Sequence, residues 1–224
     1  MYGRAAPPSD QQLAGSLLAG LRDRVESLRS GVVEFEVHDK SGKMLAKRFA
    51  AFDAKEGKVR SDTLVNWRGP DRIVKVIRTK NQFVQFLDNK GDTQLIRLNA
   101  GEKPVMRDGM PIDPRALGML PYGQICITAN TAEGLLKSLN KAEVISASLE
   151  NDIGVIVLDP NVDDGMTQLV WWIDTAHGYV PLRTEVRLNS HPYQRLEASW
   201  TRINGVMVPV SSASYPPTSG GELE

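Results

Sequence analysis

The sequence predicts a mainly β fold of the α+β kind: a strongly curved antiparallel sheet, an incomplete β-barrel of about 11 strands, with an N-terminal helix and a short helical lid insertion. Three observations predict it. Leu13, Leu17, Leu21, Val25 and Leu28 recur at spacings of four and three, the period of one helix face. From Val32 onward the period drops to two, and strand-like runs follow one another about every ten residues, parted by turn chemistry. Between about 111 and 141 that rhythm is interrupted by prolines and helix-start residues.

The elements follow in order. Residues 1–9 are small and proline-containing, and are expected to be a flexible N-terminus. Ser9 or Asp10 supplies a side-chain oxygen to cap the helix, and Gly31 follows as a stop. The helix carries a charged back of Arg22, Asp23, Glu26 and Arg29, mixed in sign, so it is expected to pack on a sheet rather than on a membrane surface. Val33, Phe35 and Val37 then alternate with Glu34, Glu36 and His38 before "DKSGK" turns the chain. Further strands are expected over 44–52, 58–66, 72–79, 82–88 and 93–99, with "DAKEG", "RGPD", "TKN" and "DNKGD" as turns. In the insertion, Pro114 opens a short helix through Leu117, and Asn130 or Thr131 caps a second bearing Leu135, Leu136 and Leu139. Strands resume over 143–149, 153–158, 167–173, 179–188, 194–203 and 206–214. No repeat and no linker divides the β region, so one domain is expected over 10–215, with 216–224 a flexible tail.

Composition narrows the function. The 224 residues are 41% apolar and 24% charged, ordinary for a folded chain. Lys and Arg number 27 and so do Asp and Glu, a net charge of zero that argues against a nucleic-acid partner or an anionic membrane surface. Cys126 is the single cysteine, so no intrachain disulfide forms; its run "QICIT" reads as a buried inert thiol. No apolar run approaches the ~18 residues of a transmembrane helix. The start "MYGRAAPP" has no apolar export core. The expectation is a mature form with its leader removed and Met1 added.

The sets that carry catalysis are missing from the sequence. His38, His177 and His191 have no ligand-spaced partner, and His-Glu-x-x-His does not occur. "NVDDG" (161–165) fits a hairpin turn better than a calcium loop, which needs a Glu at position twelve and flanking helices. Phosphate loops and the Gly-x-Ser-x-Gly elbow are absent. No catalytic residue, metal or cofactor is therefore expected, and an enzyme is the least favoured class.

Aromatic surface is what remains. Phe35, Phe49, Phe52, Trp67, Phe83, Phe86, Trp171, Trp172 and Trp200 all fall in or beside strand runs. Trp171 and Trp172 are adjacent on one strand and so face opposite sides of the sheet, which leaves Trp172 in need of a cover. Arg183, Glu185 and Arg187 alternate on one face of the next run and read as a solvated face with cross-strand ion pairs.

One helix entering "GVVEFEV", a meander and a helical insertion containing "DPRALGM" (113–119) together resemble the lipoprotein-localisation carrier superfamily (LolA/LolB/RseB-like) of bacterial envelope proteins. "WWIDTAHGYVPLRTEV" and "SWTRINGVMVPVSSASY" are similar to its paired-strand pattern, in which Trp-x-Asp leads through a glycine turn into "VPLR". The resemblance spans most of residues 11–215. It implies a half-barrel lidded by helices around an apolar hollow, a periplasmic location, and a lipid or lipoprotein acyl chain as the ligand of a monomeric, non-enzymatic carrier. An envelope protein is a further possible partner. The side chains expected to line the hollow are Leu17, Leu21, Phe35, Val37, Phe49, Trp67, Phe83, Leu117, Trp171, Leu182 and Trp200. Carriers of this kind latch the lid with an arginine, for which Arg60 and Arg72 are candidates by strand position. No lipobox cysteine is present, which departs from the membrane-anchored member. The alternative is a ligand-free protein–protein or sensor module on the same fold.

Overall fold

The computed structural model describes residues 9–65, 72–79, 81–89, 92–99, 113–119, 132–159 and 167–215. Trp67, Cys126 and the run 161–165 lie outside them. The protein is mainly β: two antiparallel six-stranded sheets, each a meander of sequential strands, with an N-terminal helix and little other helix. Neither sheet closes into a barrel among the described residues. By contacts the chain forms two compact units, residues 28–115 and residues 1–27 with 116–224.

The first unit holds strands β1 (Ser30–His38), β2 (Met44–Asp53), β3 (Lys58–Val65), β4 (Arg72–Arg78), β5 (Gln82–Asn89) and β6 (Asp92–Asn99), paired in that order. Alternation sorts its two faces. On β2, Ala46, Arg48, Ala50 and Phe52 are buried, whereas Lys47 is exposed. Register carries the buried face onward: Ala50 opposes Ser61, which opposes Val76, which opposes Gln85. Val74, Val76, Phe83 and Leu87 cluster on that face. Buried Arg115 pairs with buried Asp113 at 2.7 and 3.0 Å and stacks 5.4 Å over the Phe52 ring.

The second unit holds helix α1 (Asp10–Ser27), helix α2 (Ala132–Leu139) and strands β7 (Glu143–Glu150), β8 (Ile153–Asp159), β9 (Thr167–Asp174), β10 (Val180–Leu188), β11 (His191–Ile203) and β12 (Val206–Tyr215). Ser9 caps α1 as expected, its hydroxyl accepting from the Gln12 amide at 3.3 Å. The apolar stripe of α1 is buried at Leu17, Leu21 and Val25, and packs with Leu135 and Leu139 of α2 on Ile156, Leu158, Leu169, Trp171 and Ile173 of the sheet. Gly154 on β8 makes this contact possible. A Cβ there would stand 2.3 Å from Leu17 Cδ2, so the helix lies against bare backbone.

Candidate functional site

The side chains expected to line one hollow fall in several places. Leu17, Leu21 and Trp171 share the buried core of the helix-bearing unit, which their own side chains fill. Trp200 borders that unit's arginine Arg24, and Leu117 is half-buried in the turn leading to Met119. Leu182 is the bulged residue where β10 slips register against β9; it is 36% exposed and lines a cleft of about 490 Å³. In the other unit Phe35 and Val37 are half-buried on the face that carries Arg48. Phe49 lies on the opposite face, half-buried in an open cleft of about 260 Å³ with Leu64 and Ile73. Phe83 is buried in the Val74–Val76–Leu87 cluster. Trp67 is outside the described residues.

A different constellation stands out at the edge of the helix-bearing core. Arg24 lies three residues after Leu21 and seven after Leu17, so helical geometry puts it on the apolar stripe. It is 7% exposed. Its guanidinium stacks 4.3 Å from the Trp200 ring, and its Nη1 donates to the Met119 thioether at 3.4 Å. Nε and Nη2 are buried without a hydrogen-bond partner, and no carboxylate pairs with the group among the described residues. Burial pushes the guanidinium down to about 10, still charged at neutral pH.

Met119 is the centre of this arrangement. It is fully buried, and besides the Arg24 contact its carbonyl accepts from Trp171 Nε1 at 2.9 Å and from Thr184 Oγ1 at 3.0 Å. Thr184 is the register partner of Trp171, so β9 and β10 bring both donors to one face side by side. Gly118 delivers Met119 to them. Its φ of +73° is open to glycine at little cost, and a Cβ would meet Trp200 Cζ2 at 2.9 Å. Trp200 is itself fixed, its Nε1 donating to Pro181 O at 2.8 Å beside a bulge at Ser199/Trp200. Three buried donors thus converge on one residue of "DPRALGM".

The strand-level candidates for a latching arginine are elsewhere. Arg60 is exposed and paired with Asp62 at 2.6 Å. The side chain of Arg72 lies outside the described residues. Arg24, Met119 and Thr184 were not singled out in the sequence, although the helical spacing of Arg24 from Leu17 and Leu21 is visible there.

On the opposite face of the same sheet, the solvated reading of Arg183, Glu185 and Arg187 is corrected. Glu185 is 1% exposed and is held by Arg183 and by Arg187, the latter at 3.0 Å. These two guanidinium groups stand 4.5 and 5.9 Å from the Trp172 ring. They are its cover. A carboxylate sinks here because two cations and an aromatic face replace its water.

Among the described residues, no group of three or more His, Cys, Asp or Glu side chains converges as metal ligands would. No family model and no curated protein matches the chain.

Proposed function

We propose that the protein is a non-enzymatic, periplasmic carrier-like protein that takes an acyl chain between the sheet and the helices of its helix-bearing unit. In this reading the sheet of that unit is a strongly curved wall and the segment around Met119 is part of its lid. The observation that carries the reading is the way this segment is held. Met119 is held in the core by Arg24 at its sulfur and by Trp171 and Thr184 at its carbonyl, and it sits among Leu17, Leu21, Leu135 and Trp171. A buried methionine on a glycine-hinged turn is a flexible apolar plug that a ligand can displace. The short helix α2, eight residues long, is held by Leu135 and Leu139 and is too short to persist without that packing. Arg24 then takes the part of the latch.

The test is native mass spectrometry of protein isolated from cells, followed by titration with a fluorescent fatty acid. The expected result is a co-purified lipid and saturable binding at one site. Lipid-free protein that binds no fatty acid contradicts the reading.

The second reading, a ligand-free interaction module, draws on a separate observation. The helix-bearing core is filled by its own side chains, whereas Val32, Leu95 and Val210 on the sheets are exposed at 68, 59 and 60%. Co-purification of a stoichiometric envelope protein in place of lipid would favour it.

A further inference from the structure

Arg24 differs from every other buried arginine whose contacts are described. Arg115 faces Asp113 at 2.7 Å, whereas Arg24 has an aromatic ring, a thioether and no carboxylate among the described residues. Its place in the last turn of α1 gives partial relief, because the helix C-terminus is negative. The Trp200 face adds a comparable amount. Both effects are small beside the cost of burying a guanidinium with two of its three nitrogens unbonded. A buried guanidinium in that condition has donors and charge to spare for an anionic partner.

The partner's position is defined by what now occupies it. The Met119 carbonyl and sulfur together take one bond each from Trp171 Nε1, Thr184 Oγ1 and Arg24 Nη1. A thioether is a weak acceptor with a single usable contact, so Arg24 Nε and Nη2 stay unused. An oxyanion in the place of that sulfur has lone pairs for the unused guanidinium nitrogens and supplies the charge that sulfur lacks. The floor beyond is wholly apolar: Leu17, Leu21, Ile156 and Leu158.

The geometry points to a binding site at Arg24 for the oxyanion head of an acyl-chain amphiphile, in which the Met119 side chain occupies the head's position until the ligand displaces it. The inference rests on the acyl-chain reading above and deepens it: the ligand is anionic, and its head is read inside the protein.

The experiment compares laurate, dodecanol and inorganic phosphate as ligands of the full chain at pH 7.5. It uses calorimetry for affinity and thermal unfolding for the phosphate arm. Wild type is expected to bind laurate at least about tenfold more tightly than dodecanol, the ratio that a charge-assisted hydrogen bond to a buried guanidinium supports. In Arg24→Met the preference for laurate over dodecanol is expected to fall to within about threefold. Arg24→Lys, which keeps the charge, is expected to retain part of it. That retention separates recognition of charge from a loss of packing, and serves as the control if the methionine variant folds poorly. Equal affinity of wild type for laurate and dodecanol overturns the oxyanion head and leaves the acyl-chain reading standing. Binding of neither chain, with phosphate alone raising the melting temperature of wild type but not of Arg24→Met, overturns the amphiphile and identifies a free anion. No response to any of the three overturns both.

Discussion

Arg24 and Glu185 are the two buried charges of the helix-bearing unit for which the surroundings are most fully described, and they are compensated in opposite ways. Glu185 lies under two guanidinium groups; Arg24 lies on an indole with no acid beside it among the described residues. Removing each charge therefore has opposite effects. Arg24→Met replaces this cation by an apolar chain of similar length, and is expected to stabilise the protein by about 1–2 kcal/mol while reducing oxyanion preference to within about threefold. A urea midpoint measured for both proteins checks this; a lower midpoint in the variant would mean that Arg24 holds the fold rather than a ligand. Glu185→Ala leaves Arg183 and Arg187 without their acid. Both arginines are partly exposed, with side chains 38 and 28% accessible, so the loss is expected near about 2 kcal/mol rather than the larger cost of a fully buried pair. The same change uncovers Trp172, and its emission is expected to shift to the red.

At the scale of elements, α1 seats on β8 because Gly154 has no side chain. Gly154→Ala drives a methyl into Leu17 Cδ2, and Leu17 is too tightly enclosed to yield. The expected cost is about 1–3 kcal/mol, read by denaturant unfolding, with no change in the strand content seen by circular dichroism. The β1–β2 hairpin makes a pH-dependent prediction. His38 Nδ1–H donates to the Gly42 carbonyl at 3.0 Å and Nε2 pairs with Glu36 at 3.0 Å, and these two contacts raise its pKa above 6.5. A raised pKa means that the folded hairpin favours the charged ring. The small stabilisation is complete below pH 6.5 and fades as pH rises through the folded value. Imidazole chemical shifts followed by NMR are expected to give a midpoint above 6.5 for His38, and a value at or below it would contradict the assigned contacts. Much at this scale was legible. The α1 stripe appears as Leu17, Leu21 and Val25 at spacings of four, and the strands fall where apolar and polar residues alternate between glycine- and asparagine-bearing turns. Arg24 was hidden by chemistry rather than by position, since a charged residue on a leucine stripe reads as solvent-facing unless its spacing is given more weight than its charge.

At the scale of the whole molecule, the sequence carried the class of fold further than the site. Periodicity is a local signal, and it fixed the helix, the meanders and the interruption between them. The grouping of strands into two sheets and the meeting of Arg24, Met119, Trp171 and Thr184 depend on contacts between residues up to 95 positions apart for the Arg24–Met119 pair alone. No local pattern encodes them. The same limit scattered the expected hollow: aromatic and aliphatic residues on strands were grouped by type, whereas register puts Phe35 and Phe49 on opposite faces. Neighbouring Trp171 and Trp172 are the exception, because the two-residue period alone assigns them to opposite sides. The central claim is that an acyl chain enters the core beneath α1 and α2 as Met119 is displaced. It is tested most directly by tryptophan quenching in a protein whose Trp67 and Trp172 are phenylalanine, so that Trp171 and Trp200 report. Titration with 9,10-dibromostearate is expected to quench this emission saturably at one ligand per chain, with unbrominated stearate competing. Emission that stays unchanged, or that falls only in linear proportion to added quencher, would contradict it.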